Sequence, residues 1–165
     1  MIVKLSRGKW ALARDVNRLA VPELLTSPFP SYISLQTALY HHGMISQIPA
    51  LTYAVSLART RRYNTPVGTV SIHHVEPEFF FGYDLNESGI VKIATPEKAL
   101  VDLCYLSPTR NPLFKKLPEI ELPNRFSWNK TSVIASKIKS RARRSFVERM
   151  LATLRDSIKA ERRSR

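Results

Sequence analysis

A chain of 165 residues, 44% hydrophobic and 24% charged, has the length of about one domain and a globular composition, which excludes wholesale disorder. Its one cysteine, Cys104, excludes an internal disulfide framework and any zinc site built from several thiolates. The 26 basic residues outnumber the 13 acidic ones and cluster late: residues 1–109 carry a net +2 and residues 110–165 a net +11, an asymmetry that points to polyanionic partners.

In chain order, residues 2–13 alternate around Ser6-Arg7-Gly8 and predict a hairpin, with Gly8 free to take a positive φ. Pro22 and Glu23 open a short helix. Ser34 is placed to cap a helix running to about His42, which Gly43 ends. Thr52 to Leu57 reads as a strand with Tyr53, Val55 and Leu57 on one face. Tyr63 to Val75 reads as a strand pair around the Pro66-Val67-Gly68 turn. A short strand at 89–94 leads into Thr95-Pro96-Glu97, a helix start with threonine cap, proline at the first position and an acid in the first turn. The helix to about Leu106 buries Ala99, Leu100, Leu103 and Leu106, and leaves Lys98 and Asp102 as an expected surface ion pair.

Pro108, Pro112, Pro118 and Pro123 make residues 107–128 a connector. A short helix from Asn129 or Thr131 follows, then one from Arg141 to about Arg162 with Phe146, Val147, Met150, Leu151, Leu154 and Ile158 as an apolar stripe. The expected class is α+β: a wing-like N-terminal hairpin, a small mixed or antiparallel sheet packed with helices, and a basic helical C-terminus. The expected units are residues 1–15 (hairpin), 16–107 (core), 108–128 (connector) and 129–165 (a basic tail packing on the core). Residues 24–58 lack Asp, Glu, Lys and Arg, but Pro28, Pro30 and Pro49 break them, so no membrane span is expected. Residues 1–10 lack a signal-peptide core, and a cytoplasmic location is expected.

Candidate chemistry is sparse. His41-His42 and His73-His74 are adjacent pairs; on a strand such neighbours point to opposite faces, so neither pair presents two imidazoles to one metal. Cys104 sits on an apolar helix face and reads as an inert core thiol. Glu97 and Asp102 lie about 140° apart round a helix and make no acid–base dyad. A strand followed by Glu97-Lys98 is similar to the carboxylate–lysine pair of nucleases but lacks their intervening residue. Glycine-rich phosphate loops are missing from the sequence. No catalytic residue, metal or cofactor is expected. The basic residues carry the stronger signal, and the DNA-phosphate contacts are expected from three groups: Lys4, Arg7, Lys9 and Arg14 around the hairpin; Arg59, Arg61 and Arg62 in a loop between strands; and Lys137, Lys139, Arg141, Arg143 and Arg144 at a helix junction.

Four blocks occur in order: Ser31-Tyr-Ile-Ser-Leu-Gln-Thr-Ala-Leu-Tyr-His-His-Gly43, Arg61-Arg-Tyr-Asn-Thr-Pro-Val-Gly68, Glu78-Phe-Phe-Phe-Gly82 and Ala94-Thr-Pro-Glu-Lys-Ala-Leu-Val-Asp-Leu103. In sequence and spacing they resemble the AbiEi family of antitoxins from type IV toxin–antitoxin systems of phage abortive infection, over about residues 3–106. The resemblance implies an antitoxin domain preceded by a DNA-binding winged helix-turn-helix that represses its own operon. It also implies a nucleotidyltransferase toxin as functional partner, countered without a required stable complex. Residues 2–13 match only the wing of that motif, so antitoxin activity is expected and operator reading is expected to be weak. The alternatives are a nucleic-acid-binding regulator without antitoxin activity and a nuclease-like enzyme.

Overall fold

A computed structural model describes residues 2–12, 17–106 and 119–164 of the chain. The expected hairpin forms as β1 (Ile2–Ser6) and β2 (Lys9–Leu12), paired antiparallel, with Gly8 at φ +76° in the turn. Arg14 and the connector residues 107–118 lie outside the described residues.

Six short strands make the central sheet: β3 (Ser31–Ile33), β4 (Thr52–Ser56), β5 (Arg61–Thr65), β6 (Gly68–His74), β7 (Tyr83–Leu85) and β8 (Lys92–Ala94). Their order across the sheet is β5-β6-β4-β3-β8-β7. The Pro66–Gly68 turn closes the β5–β6 hairpin as expected, with Thr65 opposite Gly68. The chain leaving β4 skips one strand position before β5, and β6 folds back into that gap, parallel to β4. A second parallel pair joins β3 to β8 through Ile33 and Ile93, so the sheet is mixed.

This placement corrects the expected one-sided pattern of Thr52–Leu57. With β3 on one side and β6 on the other, β4 buries Tyr53, Ala54, Val55 and Ser56 in succession, and both of its faces are covered. Arg61 and Arg62 also move: they open β5 at the edge of the sheet instead of lying in a loop, and only Arg59 precedes the strand.

Helices α1 (Val21–Thr26), α2 (Leu35–His41), α3 (Pro96–Leu106), α4 (Trp128–Ser136) and α5 (Arg141–Ser164) complete the described fold, an α+β architecture. Helix α4 starts at Trp128, where Ser127 Oγ accepts the Lys130 N–H at 3.3 Å, slightly ahead of the expected start. Helix α5 turns the expected stripe inward: Val147, Leu151, Leu154 and Ile158 are buried, with Phe146 and Met150 packed at their margin. Helices α4 and α5 both pack on α3, so the basic tail belongs to the same core as the sheet.

Candidate functional site

Helix α3 is the centre of the molecule, because apolar residues occupy almost every side of it. Ala99, Leu100, Val101, Leu103, Cys104 and Leu106 are all buried. A helix that is apolar all round packs on every side, and its two charged residues are carried inside with it. Lys98 and Asp102 have side chains with 0% exposure and form an ion pair through Nζ and Oδ1, which corrects the expected surface pair. The other carboxylate oxygen, Oδ2, accepts hydrogen bonds from Ser34 Oγ at 2.7 Å and from Tyr32 Oη at 3.0 Å. The ammonium of Lys98 lies 3.7 Å from the centroid of the Phe79 ring and 5.1 Å from that of Phe81, within cation–π range of both.

Taking two charges out of water costs several kcal/mol per ion unless each is paired and hydrogen-bonded. Here both are. Burial is the largest influence on Lys98 and lowers its pKa, with Asp102 pulling the other way. Burial followed by the Asp102 charge pushes the Tyr32 hydroxyl well above its ordinary value. Gly82 lies against the lysine stem: an added Cβ would stand 3.0 Å from Lys98 Cγ, and the residue is at φ +79°.

Ser34 thereby loses its expected role. It occupies the N-cap position of α2, but its side chain makes no cap hydrogen bond, because the hydroxyl is spent on Asp102. The next residue, Leu35, is fully buried at φ +54°, a left-handed conformation uncommon for a residue with a branched side chain. Thr95 does cap as expected, its Oγ1 accepting the Lys98 N–H at 3.3 Å. Glu97 is buried too, and its Oε1 accepts the Ser127 N–H at 2.9 Å, linking the start of α3 to the start of α4. Sequence reasoning missed the partners Tyr32, Ser34, Phe79, Phe81 and Gly82. The all-round apolar character of residues 99–106 was the available signal that Lys98 and Asp102 go inside.

The histidines separate as strand geometry requires. His73 is buried and His74 exposed. Burial lowers the His73 pKa to about 4, and its Nε2 lies 3.0 Å from Ser71 Oγ. His42 Nε2 donates to the Ala94 carbonyl at 2.7 Å. Burial pushes the Cys104 thiol up to about 12. Among the described residues no group of three or more His, Cys, Asp or Glu is placed to hold a metal ion. Among them, too, no helix is long and apolar enough to cross a membrane.

The expected DNA contacts divide into two sets. In the first, β1, which carries Lys4, packs near β5, which carries Arg61 and Arg62 at the sheet edge. Lys4, Arg7, Arg59, Arg61 and Arg62 are all exposed, and none forms an ion pair among the described residues. Lys4 lies 5.6 Å from the ring centroid of Trp10, itself 62% exposed, and Arg61 lies 5.0 Å from that of Tyr63. Lys9 is on β2 of the same hairpin.

In the second set, the junction of α4 and α5 does gather Lys137, Lys139, Arg141, Arg143 and Arg144, but most of them brace the tail. Lys137 stacks on Phe81 at 4.3 Å, and Lys139 pairs with Glu78. Arg143 Nη1 donates to the Tyr105 carbonyl at 2.9 Å, and Arg144 Nε donates to the Ile138 carbonyl at 2.8 Å. Arg141 is exposed at the start of α5.

These features define an α+β protein with a buried ionic cluster at its centre and a basic sheet edge whose cations form no ion pair among the described residues. No protein-family model, curated protein or solved structure matches the chain.

Proposed function

We propose that the chain is the antitoxin of a type IV toxin–antitoxin pair of the AbiEi kind, a cytoplasmic, non-enzymatic protein that counters a nucleotidyltransferase toxin and touches DNA through its phosphates. One observation carries this reading: three of the four sequence blocks meet at the buried cluster. Tyr32 and Ser34 come from the first, Phe79, Phe81 and Gly82 from the third, and Lys98 and Asp102 from the fourth. The blocks thus pack into one core, as the blocks of one domain must.

The burial of Lys98 and Asp102 argues against the nuclease-like alternative, since a scissile phosphate has no route to a pair with 0% exposure. The cations of the hairpin and β5, which form no ion pair among the described residues, support the DNA contact, and they equally suit a regulator without antitoxin activity. Phosphate contacts of this type position a protein without reading sequence.

Co-expression of the chain with a nucleotidyltransferase toxin of such a pair separates these readings. Restored colony formation is the expected result. Continued growth arrest, with the protein folded and bound to DNA, would leave the regulator reading and remove the antitoxin one.

A further inference from the structure

Where the tail meets the core, a cavity of about 330 Å³ opens between Phe79 and Tyr105 on one side and Lys137, Ile138, Lys139 and Arg143 on the other. It falls at the lower end of the size range of ligand pockets, about 300–1,000 Å³. We propose that it binds a nucleotide, one 5′-phosphorylated nucleoside, with the base over the aromatic floor and the phosphate on the basic rim.

The floor is aromatic and layered. Tyr105 is half-buried, with the buried Phe79 ring centroid 4.6 Å from its own and the Arg143 guanidinium 5.4 Å over the ring, so the floor is a stack of Phe79, Tyr105 and Arg143. A flat base stacks on an aromatic ring or on an Arg guanidinium plane with little dependence on which base it is. Among the described residues three cations, Lys137, Lys139 and Arg143, stand against two carboxylates, Glu76 and Glu78, around the cavity, an excess of one positive charge. Glu78 is taken by Lys139. Among the described residues Lys137 meets the face of Phe81 instead of a carboxylate, which leaves its N–H donors for a ligand. Arg143 spends Nη1 on a neutral carbonyl and keeps the rest of its fork. Two cations with donors to spare, set beside an aromatic floor in a pocket of this size, match a phosphate joined to a planar base. This site is separate from the hairpin and β5 face, and it does not depend on the antitoxin reading.

The test is an equilibrium titration of the full chain with a fluorescently labelled nucleoside 5′-monophosphate, repeated with Lys137→Gln, Arg143→Lys and Lys130→Ser. Saturable binding is expected, weakened roughly tenfold by Lys137→Gln through loss of one charge-assisted contact. Arg143→Lys keeps the charge but loses the planar fork, and weakening is expected there also. Lys130→Ser, an exposed cation on α4 outside the cavity lining, is expected to bind like the parent. Displacement by unlabelled nucleotide at lower concentration than by a 5′-phosphorylated single-stranded hexamer would identify the free nucleotide as the source of this unit; the reverse order would identify a strand end. Absence of saturable binding, indifference to both rim substitutions while the variants unfold at the parent midpoint, or equal displacement by inorganic phosphate would each overturn the proposal.

Discussion

Ser34 Oγ stands 2.7 Å from Oδ2 of Asp102, across 68 residues of sequence, and this contact ties the β3–α2 corner to the central helix. The same carboxylate receives Tyr32 and pairs with Lys98, so its removal leaves a buried ammonium without a counter-charge. Asp102→Ala is expected to cost about 3–5 kcal/mol, the range for breaking one side of a buried pair. The double variant Lys98→Met/Asp102→Leu, which removes both charges, is expected to recover most of that loss. Urea denaturation of the two variants checks both expectations. A single variant as stable as the parent would contradict the buried cluster.

Ser34 and Thr95 occupy equivalent positions at helix starts yet act differently. Thr95→Ala is expected to cost about 1 kcal/mol, as for a lost cap. Ser34→Ala removes a hydrogen bond to a buried charged group, for which about 1.5–3 kcal/mol is typical. The order of the two denaturation midpoints measures the difference, and the reverse order would return Ser34 to a capping role.

Much of this architecture is legible in the sequence, and what is not has a physical cause. Turn chemistry at Gly8 and Pro66–Gly68, the Thr95-Pro96-Glu97 start and the apolar stripe of α5 are local signals, and the structure follows them. The parallel β4–β6 pair depends on a skipped strand position, which no local signal encodes. Lys98 and Asp102 read as surface residues because i,i+4 spacing is the signature of an exposed pair. Only tertiary packing, with Tyr32, Ser34 and Phe79 arriving from elsewhere, makes them a core. The basic groups were visible as charge, but the internal engagement of Lys137, Lys139, Arg143 and Arg144 was not.

His73 makes stability depend on mild acid. Its folded pKa is about 4, below the ordinary value of 6.5, so the unfolded chain binds more protons between those two values. The contribution is fully present above about pH 6.5 and is lost as pH falls toward 4. It amounts to at most about 3.4 kcal/mol, since each tenfold change in proton affinity is worth about 1.36 kcal/mol. Denaturation midpoints across this window are expected to fall for the parent and to stay flatter in His73→Gln. Parallel curves would contradict the assignment.

Cys104 is expected to resist thiol reagents in the folded protein, because burial pushes its thiol to about 12 and no solvent reaches it. Colorimetric titration should register one thiol per chain in denaturant and none without it. Rapid modification under native conditions would contradict its place in α3.

We expect the outward cations on the hairpin and at residues 59–62, rather than the buried cluster or the tail, to contact the polyanion. This claim is tested most directly by the salt dependence of duplex DNA binding. Two variants are compared, one with Lys4, Arg7, Arg59, Arg61 and Arg62 changed to Ser, the other with Lys137, Lys139, Arg143 and Arg144 changed to Ser. Each lost phosphate contact lowers the log–log slope by about 0.9. The first variant is expected to flatten the slope by several units, and the second by about one or less. An unchanged slope in the first with a flattened slope in the second would contradict the claim and place the contact on the tail.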